Sequence, residues 1–411
     1  MNILDYLNVS NESNPESDSG FIFQKLLITE ILNQRPDWNF FLVASKKIPP
    51  FDSRVQVLPF INNVDKYKVR FNFPWEALKA NLEGIADKVD ILYVNQAEQA
   101  TNLKALMATL TRRRIPIVTY FHYLAIEPSS HKHFTFSRTE FENPPDIIYD
   151  HGLNDGGIGQ TVFMRQLEAL IASDYSVTCS HFGADLLIHT AQRIAPSVSK
   201  PIKIINPPVS IEEIANARSG EKFKRKTVLS NHRMYKHYGI DEFLELMNRY
   251  FRENGEQDFE LLFTNPTSNR SKERKRLDPS VEEIINIIKS TKFARIKYSR
   301  RREEYYRTVS RCHLAVAPMR PSALWSMSAV DAMACGLPTL CPDYACFPEI
   351  VGSESPLLFS SFRGFKEILM LLLNDRGFYE EQSEYCRRRA EQFDVKHTAQ
   401  KFIRIFEQAV Y

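Results

Sequence analysis

Residues 326–338, SMSAVDAMACGLP, combine serines, small apolar residues, one carboxylate and a Gly-Leu-Pro turn. The spacing predicts a helix over residues 326–335 with Ser322, Ser326 or Ser328 as its N-cap. Amides at such a helix start suit the oxygens of a diphosphate, and Met327 sits in that first turn. Asp331 lies about a turn and a half further along, where a carboxylate can accept hydrogen bonds from both vicinal hydroxyls of a ribose. Ala332, Ala334 and Gly336 keep the helix slim, so neighbouring backbone can approach. The competing reading is a buried small-residue helix whose Asp331 is a cap or a solvated charge.

A diphosphate-facing helix needs a strand in front of it and a cleft to face, and the chain offers both twice. In the first half NILDYLNV, NFFLVAS, DILYVNQ, PIVTYFHY and YSVTCS read as strands. Helical stretches such as FIFQKLLITEILNQ, NLKALMATLTRRR and QTVFMRQLEALIAS alternate with them. The pattern pauses at IKIINPPVSIEE and the charged RSGEKFKRK, then restarts with TVLSNH, FELLFTN, FARIKYS, HLAVAPM and PLLFS. Strand–helix alternation implies right-handed crossovers and parallel, doubly wound sheets. The expected architecture is α/β, with two Rossmann-like doubly wound domains facing a cleft. The expected bounds are 1–215 for the first domain, 222–390 for the second and 391–411 for a last amphipathic helix.

With 411 residues, two domains are expected. A net charge of +3 is too mild to mark a nucleic-acid binder by itself. The six cysteines contain no C-x2-C pair and read as free thiols of a reducing cytoplasm. No signal peptide is visible, and no run approaches the ~18 apolar residues of a spanning helix. A cytoplasmic location is expected, with peripheral membrane contact left open and the oligomeric state undetermined.

The wider pattern S-x8-D-A-M-A-C-G-L-P-T-L-x6-F-P-E-I-V resembles the nucleotide-sugar site of GT-B glycosyltransferases, specifically the large retaining family 4. YYRTVSRCHLAVAPMRPS is similar to that family's helix and strand leading into Pro-Ser, and NHRMYKHYGIDEFLEL to its Gly-Arg…Lys-Gly segment. FDVKHTAQKFIRIFEQ resembles the terminal helix, which in that fold crosses back onto the first domain. The resemblance covers about residues 225–411 and is one of fold only before that. It implies transfer of a sugar from a nucleoside diphosphate sugar to a hydroxyl acceptor, with retention and without a cofactor or metal. The usual acceptors of such a scaffold are saccharides or lipid-linked saccharides.

Carried over residue by residue, the resemblance puts Arg233 on the diphosphate, where a guanidinium fork suits phosphate oxygens. Tyr238 stands where the family has a lysine, so Lys236 reaches the same phosphates only through a remodelled loop. Amides from Trp325 to Met327 complete the clamp, and Ala323 replaces the first of the family's two glutamates, leaving Trp325 and Ser326 to shape the sugar pocket. His122 resembles the strand-terminal histidine beside the reacting sugar, and a neutral imidazole there accepts a hydroxyl proton. Gly20 follows the first strand where the family is glycine-rich, which makes its amide a candidate phosphate or acceptor contact.

The loop DHGLNDGGIGQ, from Asp150 to Gln160, reads as an acceptor loop, as phosphate-binding amides at a helix N-terminus or as a flexible connection without a ligand, and Asn95 and Gln96 offer amides at the cleft edge. His131 and His133 form an H-x-H pair without a third ligand, and no D-x-D occurs, so no metal is expected. Two alternatives stay open. Basic runs such as TRRRIP, NRSKERKRL, FARIKYSRRREEYYR and YCRRRAEQ suit a DNA-modifying glycosyltransferase acting on a hydroxymethyl pyrimidine. Ala323 suits a non-catalytic nucleotide-sugar-binding protein.

Overall fold

The computed structural model describes residues 1–9, 15–60, 72–125, 158–234, 238–255, 258–264, 280–299, 301–320 and 323–411. The first sheet contains β1 (Asn2–Leu7), β2 (Asn39–Ala44), β3 (Val55–Pro59), β4 (Ile91–Val94), β5 (Ile117–Phe121), β6 (Tyr175–Thr178) and β7 (Ile202–Ile204). Their order is β3-β2-β1-β4-β5-β6-β7, and every pairing is parallel. The second sheet contains β8 (Lys226–Ser230), β9 (Phe259–Thr264), β10 (Ala294–Lys297), β11 (Leu314–Val316), β12 (Thr339–Pro342) and β13 (Leu358–Phe359). Its order is β10-β9-β8-β11-β12-β13, again all parallel.

Helices cover both faces of each sheet, which is why strands such as β4 and β5 are buried at every residue. In the first half they are α1 (Ser19–Gln34), α2 (Trp75–Leu82), α3 (Ala100–Thr111), α4 (Ile158–Ala172) and α5 (His181–Ile194). The second half adds α6 (Ile211–Ala217), α7 (Ile240–Asn254), α8 (Ser280–Ser290), α9 (Arg302–Ser310) and α10 (Met327–Ala334). It continues with α11 (Phe347–Val351), α12 (Phe362–Asn374) and α13 (Arg376–Glu391), and the chain ends in α14 (Val395–Val410).

The two sheets confirm the doubly wound pair expected from strand–helix alternation. β3, β7 and β12 were not among the expected strands. β3 and β7 are the two edge strands of the first sheet and bury few of their residues, which blurs an apolar run, and β12 is four residues inside a segment read for its helix. Among the described residues no helix is long and apolar enough to cross a membrane, and all six cysteines are free and buried.

Two buried clusters form the cores, one per sheet. The chain leaves the first sheet after Ile205 and returns near Phe393, and these crossings pair with each other. The Val209 amide donates to the Phe393 carbonyl at 3.0 Å, and the Val395 amide to the Val209 carbonyl at 2.8 Å. Asp394 pins the crossing by accepting the Ile211 and Lys396 amides at 3.2 and 3.0 Å. Beyond it α14 rejoins the first core, its Phe402 and Phe406 edge-on to Tyr93 at 5.3 and 5.4 Å. The Arg35–Glu407 ion pair at 2.8 Å borders this contact. The last helix therefore does cross back to the first half.

Candidate functional site

In a doubly wound sheet, the crevice at the carboxyl ends lies where the strand order reverses. In the second sheet that point falls between β8 and β11. The loop after β8 carries Asn231, His232 and Arg233, and the loop after β11 runs through Arg320 to α10. These loops touch. Gly239 holds φ +68, and a Cβ there would lie 2.4 Å from the Met319 carbonyl oxygen, so only glycine permits the approach. The Met319 amide closes the contact by donating to the Tyr238 carbonyl at 3.0 Å.

Of the three candidate serines, Ser326 is the N-cap of α10, its hydroxyl accepting the Ala329 amide at 3.3 Å. Ser328 instead lies 3.2 Å from the Ser326 hydroxyl, and Ser322 lies outside the described residues. The first-turn amides of α10 have no intrahelical acceptors. Asn231 fixes this turn by donating to the Ser328 carbonyl at 2.7 Å and to the Tyr305 hydroxyl at 2.8 Å. Arg233, half-buried two residues on, thus belongs to the same edge as the start of α10.

Asp331 is half-buried on α10 and accepts a hydrogen bond at each oxygen. The Tyr305 hydroxyl donates at 3.3 Å and the Tyr306 hydroxyl at 3.4 Å. Arg302 donates to the Tyr306 hydroxyl at 2.8 Å and pairs with Glu213 of α6 at 3.3 Å. Burial pushes the Asp331 carboxyl up to about 6, against the opposing pull of Arg302 and the two tyrosines. A carboxylate has about four lone-pair positions, so two stay open to further hydroxyl donors.

His232 is buried, and burial lowers its imidazole to about 4, so the ring is neutral. Its Nε2 lies 3.4 Å from the Ser230 hydroxyl and its ring 6.3 Å from that of Tyr238. Arg320 lies over the Tyr238 ring at 5.5 Å.

Other expected residues fall elsewhere or take different roles. The Trp325 ring packs edge-on to Phe393 at 5.0 Å, between the two cores, so it anchors the loop to the crossing. Leu324 beside it belongs to the first core, which brings the start of α10 to the border between the halves. Gly336 lies beyond the end of α10 at φ +78 with no close neighbour to spare, so it serves the helix-ending turn and not slimness. The Gly20 amide donates to the Asp18 carboxylate at 2.9 Å, part of the cap of α1, and is engaged there. His122 is half-buried just past β5, on the carboxyl edge of the first sheet, its ring 6.1 Å from Tyr123. Asn95 and Gln96, expected at the cleft edge, are buried in the first half. Lys236, His131, His133 and residues 150–157 lie outside the described residues. Among the described residues, no cluster of three His, Cys, Asp or Glu side chains is placed to hold a metal.

Residues 212–393 match the family model described as Glycosyl transferases group 1. The chain is a glycosyltransferase. Its two facing parallel-sheet halves form a GT-B fold. No curated protein is similar enough in sequence to count as a relative. The glycosyltransferase superposes over nearly its whole length on sucrose-phosphate synthase from Thermosynechococcus elongatus, at 16% identity, covering 99% of this chain and 98% of that one, with a TM-score of 0.69. Trehalose-6-phosphate synthase OtsA matches at 11% identity and a TM-score of 0.68, with 99% of each chain covered. HepE of Anabaena, solved in complex with UDP and glucose, matches at 14% identity and a TM-score of 0.62, covering 98% of this chain and 99% of that one.

Among the described residues of the glycosyltransferase, several arginines of the basic runs are engaged locally, whereas NRSKERKRL lies outside the described residues. Arg113 donates to the Asp87 and Val89 carbonyls, and Arg114 pairs with Asp174 at 2.6 Å. Arg295 pairs with Glu260 at 2.7 Å, and Arg307 and Arg387 pair with Glu303 and Glu384 on their own helices. Sequence reasoning missed Asn231, Tyr305 and Tyr306, because their significance comes from contact across three separate elements.

Proposed function

We propose that the protein moves a hexosyl or pentosyl group from a nucleoside diphosphate sugar to the hydroxyl of a saccharide or lipid-linked saccharide, with retention. Residues 222–390 act as the donor domain, residues 1–215 as the acceptor-side domain, and residues 391–411 as the helix that crosses back. One observation carries the reading: Asp331, Arg233 and the first turn of α10 share the switch point of the second sheet, joined through Asn231 and Tyr305.

Asp331 accepts the ribose hydroxyls, held in place by Tyr305 and Tyr306. Arg233 and the amides from Trp325 to Met327 stabilise the departing diphosphate, with Lys236 as an added cation. Such preorganised stabilisation of developing charge is the main source of rate in transfer of this kind. His122 approaches from the first half and hydrogen-bonds the sugar or takes the acceptor proton. Among the described residues, no side chain of the site is placed as a covalent nucleophile, which suits displacement on one face with the diphosphate assisting deprotonation. No cofactor or metal enters this scheme. HepE was solved with UDP-glucose, which makes that sugar the first donor to try.

Incubation with a panel of nucleotide sugars, with and without saccharide acceptors, tests the reading through released nucleoside diphosphate. Turnover with at least one donor is expected. Absence of turnover with every donor and acceptor pair contradicts it and favours a binding protein.

A further inference from the structure

Glu349 belongs to α11, in the half built on the second sheet. Its carboxylate reaches across to the other half. Oε2 accepts the His181 amide at 2.8 Å, and Oε1 accepts the Phe182 amide at 2.8 Å. These are the first two amides of α5, and the third, of Gly183, goes to the Ser180 hydroxyl at 3.0 Å. Both Glu349 bonds are charge-assisted and lie at the positive end of the helix dipole.

The glutamate is braced from behind. Arg389 of α13 donates to the Glu349 and Ile350 carbonyls at 2.8 and 3.1 Å and to the Gln392 side chain at 2.6 Å. Its guanidinium lies 5.7 Å from the ring of Phe393, whose carbonyl pairs with Val209 at the chain crossing. The tie between the halves is thus mounted beside the residues that form the chain crossing. Beside it opens a cavity of about 830 Å³, lined by His181, Phe182, Glu349, Arg389, Phe393 and Lys401 among others. Solvent and small anions can therefore reach the tie.

We propose that Glu349 is a positioning residue for sugar transfer, setting how the acceptor-side half meets the donor-side half through α5. The inference rests on the glycosyltransferase reading given above. The donor groups Asp331 and Arg233 lie on one half and His122 on the other, so the tie governs their meeting and not the binding of donor. A misplacement of about 1 Å between reacting groups can cost about a hundredfold in rate.

The test uses the full chain with Glu349→Ala and Glu349→Gln. Glu349→Ala is expected to lower kcat about tenfold or more while donor affinity stays within about twofold. Acetate or formate should restore much of that loss by refilling the amides of α5, with chloride as the control. Glu349→Gln, which keeps one acceptor oxygen, should fall between. A second readout is independent of turnover. Because all six native cysteines are buried, spin labels on Glu168→Cys of α4 and Glu245→Cys of α7 report the distance between the halves. Glu349→Ala should broaden that distance distribution and acetate should narrow it.

An unchanged kcat together with an unchanged distribution overturns the proposal. So does a joint loss of thermal stability and donor affinity that acetate does not relieve, which marks a purely structural residue. If the wild type turns over no donor, the glycosyltransferase reading fails, and the distance measurement alone decides the tie.

Discussion

The carboxyl edges of the two sheets carry polar residues in different ways. At the second sheet the polar groups face one another across separate elements: Asn231 bridges to Ser328 and Tyr305, and Tyr305 and Tyr306 converge on Asp331. At the first sheet the polar groups sink inward. Asp5 is fully buried in β1 and accepts a hydrogen bond from Gln24 at 2.8 Å, and Asn95, Gln96 and Glu98 are buried as well. The difference fits a division of labour. A donor-binding edge must present a fixed set of hydrogen-bond partners to a fixed ligand, whereas an acceptor-side edge supplies a scaffold for variable loops. The family model matches residues 212–393 and stops short of the first sheet.

The comparison breaks most sharply at the leaving group. Arg233→Ala should lower kcat about a hundredfold or more, the usual cost of removing a group that stabilises developing charge. His122→Ala, on the other edge, should lower kcat by about a hundredfold with donor affinity unchanged, since the proposed scheme sets it against sugar or acceptor and not the nucleotide. Equilibrium binding and steady-state kinetics on both variants separate the two edges. Loss of donor affinity on His122→Ala would erase the proposed division.

Next in size is pH. Burial pushes the Asp331 carboxyl up to about 6, and in the proposed site only the ionised form can accept from both ribose hydroxyls. Donor affinity should therefore rise as pH climbs through about 6 and level off above it, while Asp331→Asn should be flat and about tenfold or more weaker at pH 8. The stability sign is opposite. A raised carboxyl favours the protonated folded form, so its contribution is full below the unfolded value and is lost as pH rises through about 6.

Asp5 sharpens the contrast from the first sheet. Burial holds its carboxyl well above the usual range, so the folded chain prefers it protonated. Asp5→Asn, which keeps an acceptor for Gln24, should raise the thermal midpoint at pH 8 and do little at pH 4, read by calorimetry. The smallest effect is expected at Ala345, the left-handed residue before α11, at φ +52. Ala345→Gly should stabilise by about 1 kcal/mol or less, since relief of strain is offset by glycine's greater freedom when unfolded.

Much of this was legible in the residues alone. Long helices such as α1 and α14 follow from their apolar spacing, and the alternation of strands and helices led to two parallel sheets. Ser326 and Asp331 were legible because cap and carboxylate lie on one short helix. The rest depended on contacts between distant segments. Asp331 is held by tyrosines 25 and 26 residues away, and Glu349 by amides 167 and 168 residues away, separations that no local pattern encodes. Gly20 and Trp325 pointed to ligand contact by type, but a neighbouring carboxylate takes the amide of one and a phenylalanine the ring of the other.

The central claim is that Asp331 receives the pentose of the donor nucleotide. It is tested most directly by titrating wild type and Asp331→Asn with UDP and with 2′,3′-dideoxy-UDP, then with the ADP and GDP pairs, at pH 8. Loss of the two hydroxyls should weaken binding to the wild type about tenfold and leave binding to the variant nearly unchanged. An equal loss in both proteins, or none in either, would contradict the account.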